Sequence, residues 1–142
     1  VDTNEHRVFP EVGRQSMDAL KQSSLIYSAL ARMLVPAVNQ AGLHFSREQS
    51  FNDCLLLACA AERYRLARVT LPGKLADLLP QYLTALPHDV VTGAPLIYYR
   101  QENGAFQIYS CGWNKRDEGG LIAERREQGD WGVNIGMPGG GR

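Results

Sequence analysis

The clearest element in the sequence is a helical pattern that spans residues 47–67. Apolar side chains recur there every three to four residues, which is the spacing of one helix face. The predicted buried face consists of Phe51, Leu55, Ala58, Glu62 and Leu66, widened by Cys54, Leu57, Ala61 and Tyr64. Ser46 is a plausible N-cap, and Pro72 with Gly73 ends the pattern. Glu62 and Arg65 are spaced to form an ion pair on the helix surface.

A second helical pattern precedes this one, over residues 15–41. It is apolar, with Arg32 as the only charge between residues 24 and 38. Pro36 removes one backbone hydrogen bond, so we expect the long N-terminal helix to be kinked or broken near residues 36–42. The apolar surface of this helix packs either on its own domain or against another chain.

The second half of the chain predicts a small antiparallel sheet. Two runs rich in tyrosine and isoleucine, residues 95–100 and 105–110, flank Asn103-Gly104, a typical hairpin turn. A short helix over residues 74–79 precedes them, and a third strand is expected at residues 131–135. Helices first and antiparallel strands later are typical of an α+β fold, with the long helix packed on the sheet.

The chain ends are polar and rich in glycine or proline, which predicts a flexible leader over residues 1–14 and a disordered tail over 138–142. Residues 15–137 then form one α+β domain with a long helical arm. Fifteen basic residues balance fifteen acidic ones, which does not favour nucleic-acid binding. No apolar run is long enough to predict a membrane span.

Cysteines and histidines do not form a recognisable site in the sequence. Three cysteines are too few for a disulfide framework, and Cys54 is expected in the core, although a bridge from Cys54 or Cys59 to Cys111 stays open. The three histidines match no metal-ligand spacing.

The order of motifs resembles the globular region of type II secretion major (G-type) pseudopilins, and pilin-like proteins more broadly. The similar stretch, residues 57–135, contains AERYRL, LPQYLTALPHDVVTGAPLIYYR and YSCGWNKRDEGG, followed by GDW. The last two pieces also resemble a group of bacterial proteins with the pattern YSxGWNxxDxGG…GDW, which implies no mechanism. Unlike pilins, this chain carries Arg32 in its most apolar helical part and a polar stretch before it. The resemblance implies a pilin-like fold and a role in the cell envelope or outside the cell.

The pseudopilin resemblance also implies a calcium ion in the loop after the hairpin. Calcium prefers six to eight oxygen ligands, which acidic loops with glycine supply. Matching the family motif to this chain gives a ligand set of Ser110, Asn114, Asp117, Glu118 and Asp130. The alternative is a polar turn whose carboxylates pair with neighbouring arginines.

Three functions are compatible with these patterns. The first, which we favour, is a non-catalytic structural or interaction subunit that binds protein partners or itself through the apolar helix 15–41. The second is a small peptide- or glycan-binding module using Tyr98, Tyr99 and Tyr109 of the hairpin. The third is an enzyme, for which the acid–base candidates Glu62, His88, Asp89 and Asp117 are scattered and share no motif.

Overall fold

A computed structural model describes residues 7–22, 25–122 and 129–136. The long helix packs on a three-stranded antiparallel sheet, which makes the protein an α+β fold, as the sequence predicts. The elements are α1 (Pro10–Gln22), α2 (Leu25–Arg68), a 3₁₀-helix (Leu75–Leu78), β1 (Ile97–Arg100), β2 (Phe106–Ser110) and β3 (Trp131–Ile135). Among the described helices, none has the sustained apolarity of a segment that crosses a bilayer.

The predicted single helix over residues 15–41 is wrong, because this region contains two helices. α1 runs antiparallel to the first half of α2, since Gly13 contacts Asn39 while Leu20 contacts Arg32. The Arg32 guanidinium donates to the Leu20 carbonyl at 3.2 Å, near the C-terminal end of α1, where carbonyls lack helical partners. The two helices cover one another. The apolar pattern in the sequence is the same for two helices that pack together as for one continuous helix.

Of the kink or break expected near residues 36–42, the break is wrong. α2 runs without interruption through Pro36 and Gly42 to Arg68, a length of about 66 Å for its 44 residues. Ser46 is not an N-cap, because its hydroxyl donates to the Gly42 carbonyl one turn earlier, inside the helix. One proline removes a single hydrogen bond, and packing along the rest of the helix keeps it continuous.

The predicted flexible leader is wrong for its second half. α1 begins at Pro10, a position where the fixed backbone angle of proline suits the start of a helix. Before it, the Val8 amide donates to the Val90 carbonyl at 2.8 Å, and the Arg7 guanidinium donates to the Thr92 carbonyl at the same distance. Residues 1–6 and the predicted tail, 138–142, lie outside the described residues.

The core forms where α2 meets the sheet, on the side of the helix that only widens the predicted face. Cys54, Leu57 and Ala61 are fully buried, whereas Phe51 and Leu66, assigned to the buried face from the sequence, are exposed. The buried helix residues contact the inner sheet face, the 3₁₀-helix and the loops beside it, through Leu71, Leu78, Leu96, Phe106, Ile108 and Val133. Because α2 carries apolar side chains on two opposite sides, the sequence spacing alone does not identify its inner face.

The sheet has the order β1-β2-β3 with antiparallel pairing throughout, as predicted. Gly104 adopts a φ of 82° in the turn between β1 and β2, a conformation that glycine takes without strain. Ile108 on the central strand is paired with Tyr98 on one side and Val133 on the other, and all three contact the core. The other sheet face is partly covered by the loop that leads from β2 to β3, where Gly120 lies against Gln107 and Tyr109.

Candidate functional site

The buried carboxylate of Asp89 fixes the turn before β1. Asp89 is 2% exposed, and its Oδ1 accepts the amides of Val91 and Thr92 at 2.8 and 3.1 Å. Its Oδ2 accepts the amide of Cys111 at 3.2 Å, which joins this turn to the end of β2. Three backbone donors on one carboxylate are typical of a structural anchor. Asp89, one of the predicted acid–base candidates, is therefore a structural anchor of this turn.

The loop after β2 has its own buried carboxylate, Asp130. Its two oxygens accept the amides of Glu118 at 3.4 Å and Gly120 at 2.7 Å. Burial raises the pKa of Asp130 above its ordinary value of 3.8, and the nearby charges of Glu118 and Asp117 add to this effect. The two amide hydrogen bonds act in the opposite direction, because they stabilise the ionised form. Asp130 thus closes the loop from within.

Two further predicted ligands, Asp117 and Glu118, are held by neighbours in the same loop. Asp117 Oδ1 accepts the hydroxyl of Tyr109 at 3.2 Å and the amide of Gly119 at 2.8 Å. Burial, followed by the charge of Asp117, raises the pKa of Tyr109 to about 12, so its hydroxyl remains a donor. Glu118 Oε1 accepts the side-chain amide of Asn114 at 2.7 Å, whereas its buried Oε2 makes no hydrogen bond.

The predicted calcium ligands make other contacts in the described part of the chain. Ser110 is buried, and its hydroxyl accepts the amide of Gly112. This hydrogen bond fixes the turn that follows β2. The carboxylates of Asp117 and Asp130 accept backbone amides, as described above. No group of three or more acidic, histidine or cysteine side chains in residues 7–22, 25–122 and 129–136 is arranged to hold a metal ion. The loop is instead closed by hydrogen bonds between its own residues.

The alternative prediction is that basic residues of the loop pair with its carboxylates, and the structure describes two of them, Lys115 and Arg116. Lys115 leaves the loop and forms an ion pair with Glu11 on α1, which ties the loop to the first helix. Arg116 contributes its backbone amide to the side chain of Asn114. Arg125 and Arg126, the other basic residues of this loop, lie outside the described residues.

The three hairpin tyrosines do not form an exposed aromatic cluster. Tyr98 lies against the core and donates its hydroxyl to the Pro72 carbonyl at 3.1 Å. Tyr109 is 5% exposed on the other sheet face. Only Tyr99 of the three is largely exposed, so a peptide or glycan would meet one ring, not a platform.

The cysteines are separate in the structure. Cys54 is fully buried in the core, as predicted, and its thiol contacts the Trp131 carbonyl at 3.9 Å. Burial raises the pKa of Cys54 to about 12 and that of Cys111 to about 11. Cys59 is exposed on α2, and none of the three forms a disulfide. The open alternative of a bridge to Cys111 is therefore not realised.

α2 has an outward face, which we define by its exposed apolar side chains. These are Met33, Leu34, Val38, Phe45, Phe51, Leu55, Leu56 and Leu66. Phe45 and Leu66 are about three-quarters exposed. A row of exposed large apolar side chains along one helix is typical of a surface that binds another molecule.

Both packing partners of α2 lie on its opposite side. α1 contacts Arg32 and Asn39, and the loops and sheet contact Leu43 and Cys54 further along. These positions follow one another at intervals of seven, four and eleven residues, each close to a whole number of helical turns, and therefore share a helix face. The outward face of α2 is left uncovered over its whole length by the described residues.

Sequence reasoning placed the interaction surface at residues 15–41, but the uncovered face extends to Leu66. It missed Phe51, Leu55 and Leu66 as surface residues because it assigned them to the core. The signal that distinguishes them is the two separate apolar stripes on α2, of which a small sheet covers only one.

Comparisons with family models, with curated proteins and with solved structures found no match for this chain.

Proposed function

We propose that this chain is a non-catalytic subunit of a cell-envelope or extracellular assembly, and that it contacts other protein chains through the outward face of α2. The observation that carries this proposal is a helix with two apolar faces, of which its own domain covers one. The resemblance to pseudopilins supports the setting of the assembly.

The size and chemistry of the outward face support a protein partner. Its exposed apolar residues extend from Met33 to Leu66, about 50 Å along the helix axis. Burying one large apolar side chain stabilises a protein by roughly 1.5–3 kcal/mol relative to leaving it in water. A partner surface that covers several of these side chains is therefore stabilised by their combined burial. An extended row of this kind suits another helix or sheet better than a small ligand, which binds in a concave pocket.

The acid–base candidates support a non-catalytic role. The oxygens of Asp89 accept three backbone amides, and Glu62 is paired with Arg65 at 2.7 Å on the helix surface. Asp117 is bonded to Tyr109 and Gly119. Each of these carboxylates therefore has a structural role in the fold or its surface.

The test is the mass of the purified chain in solution, measured by sedimentation over a range of concentrations. We expect a species larger than the monomer, and we expect Phe45→Glu to convert it to monomer because a charge would be buried at the interface. The matched control is Leu121→Glu, which changes an equally exposed apolar residue outside α2 and should leave the mass unchanged. A native chain that is monomeric at every concentration would contradict the proposal.

A further inference from the structure

We infer that the occupant of the outward face is a second copy of this chain, with the two α2 helices antiparallel. This inference rests on the proposed function, because it names the partner that the outward face takes. The second copy contacts one set of positions along that face, which we call the outward seam.

The outward seam alternates spacings of four and three residues, the a and d positions of a heptad pattern. It consists of Leu34, Val38, Ala41, Phe45, Glu48, Asn52, Leu55, Cys59, Glu62 and Leu66. Every position except Glu62 is exposed, and the Glu62 side chain retains 31% of its accessible surface. Seven of the ten positions carry apolar or small side chains, and a helix with such residues at most of its a and d positions packs along them on another helix.

The residue types along the outward seam are matched about its middle. Leu34 and Leu66 occupy the two ends, and Phe45 and Leu55 lie equally far from the centre, near Ser50. An antiparallel pair centred there places each of these residues opposite its match in the second copy. A surface that is complementary to itself about a two-fold axis is the requirement for an isologous dimer.

The inner layers of the outward seam fit the same alignment. Ala41 lies opposite Cys59 of the second copy, so two small side chains meet between the larger pairs. Glu48 lies opposite Asn52 of the second copy, which places a hydrogen-bond donor beside each carboxylate at the centre.

One layer is apolar on one side only. It sets Val38 against Glu62 of the second copy, whose carboxylate is already paired with Arg65. The charge of Glu62 is thereby compensated within its own helix, and its stem can cover Val38.

Charge selects this orientation over the parallel one. A parallel, in-register pair would place Glu48 opposite Glu48, which sets like charges against each other at the centre of the outward seam. The antiparallel pair separates these carboxylates and gives Glu48 an amide partner. The domains present no obstacle, because each lies on the far side of its own α2.

Cysteine cross-linking distinguishes the two orientations, since Cys59 is already exposed on the outward seam. Cys111→Ser removes the other accessible thiol, and Cys54 is buried. In the antiparallel pair the two Cys59 residues lie 18 positions apart along the axis, about 27 Å, too far for a disulfide. Adding Ala41→Cys brings an introduced thiol opposite Cys59 of the second copy, where a disulfide can form.

We expect mild oxidation to yield roughly tenfold more covalent dimer for Ala41→Cys with Cys111→Ser than for Cys111→Ser alone, because only the former places two thiols within bonding distance. The matched control adds Cys59→Ser to the same pair of changes and should remove the covalent dimer. Peptide mass spectrometry identifies the linked positions.

A covalent dimer through Cys59 of both copies in the Cys111→Ser chain would overturn the antiparallel inference and leave the proposed function intact. An assembly that sediments as a dimer without the Ala41→Cys cross-link would have the same meaning. A chain that is monomeric in solution and never cross-links would overturn both the inference and the proposed function.

Discussion

The carboxylate of Asp89 and the backbone amide of Cys111 are joined by a hydrogen bond of 3.2 Å across 22 residues of sequence. Asp89 lies in the turn before β1, and Cys111 follows the last residue of β2. The same carboxylate holds the amides of Val91 and Thr92. One buried side chain therefore connects the entrance of the hairpin to the start of the polar loop.

Removal of this anchor is expected to destabilise the fold. Asp89→Ala leaves three backbone amides without their acceptor, all of them at partly or fully buried positions, and we expect a loss of about 2–4 kcal/mol in the free energy of unfolding. Urea denaturation followed by circular dichroism measures this loss. Asp18→Ala is the control: its pair with Lys21 is about 70% exposed, so its removal should change stability by less than about 0.5 kcal/mol.

The three thiols should react at different rates with an alkylating reagent at mildly alkaline pH. Cys59 is exposed and should be modified first. Burial raises the pKa of Cys111 to about 11 and that of Cys54 to about 12, which leaves little of the reactive thiolate at either position. Timed alkylation with peptide mass spectrometry gives the order, and modification of Cys54 before unfolding would contradict the core packing.

Asp130 should give the protein a measurable dependence on pH. Because burial raises its pKa in the folded state above the ordinary value, folding takes up a proton in this range, and this contribution to stability is largest at low pH and is lost as the pH rises through the folded pKa. Asp130→Asn removes the titration and one of two amide acceptors. We expect the native chain to exceed the variant in stability by a margin that widens as the pH falls from about 7 towards 4.

Urea denaturation of both proteins across that pH range is the measurement. The slope of the difference in unfolding free energy is the decisive quantity. A margin that shrinks as the pH falls would show that the amide hydrogen bonds dominate and lower the pKa of Asp130 instead.

Calcium is expected to leave the unfolding temperature unchanged, because the loop carboxylates already accept amides from the loop itself. Thermal unfolding with millimolar calcium and then with chelator checks this. A ligand at about 100 times its dissociation constant would add about 2.7 kcal/mol, which is easily detected. A rise that Asp117→Ala abolishes would instead support the ligand set implied by the pseudopilin resemblance.

The sequence by itself determined the strands and turns that depend only on neighbouring residues. The hairpin follows from the strand-forming residues on either side of Asn103-Gly104, and the third strand follows from the alternation of Trp131, Val133 and Ile135 with glycine and asparagine. The burial of Cys54 was also predicted, because a cysteine in an apolar helical stretch behaves as a small buried apolar residue.

Only the tertiary structure decided which face of α2 is inside. α2 carries apolar side chains on two opposite sides, so its spacing is compatible with burial of either Leu57 or Leu66, and the position of the sheet selects Leu57. The antiparallel turn of α1 onto α2 and the continuity through Pro36 are likewise set by packing between distant segments. The physical reason is that burial is a property of two surfaces, whereas a sequence pattern describes only one of them.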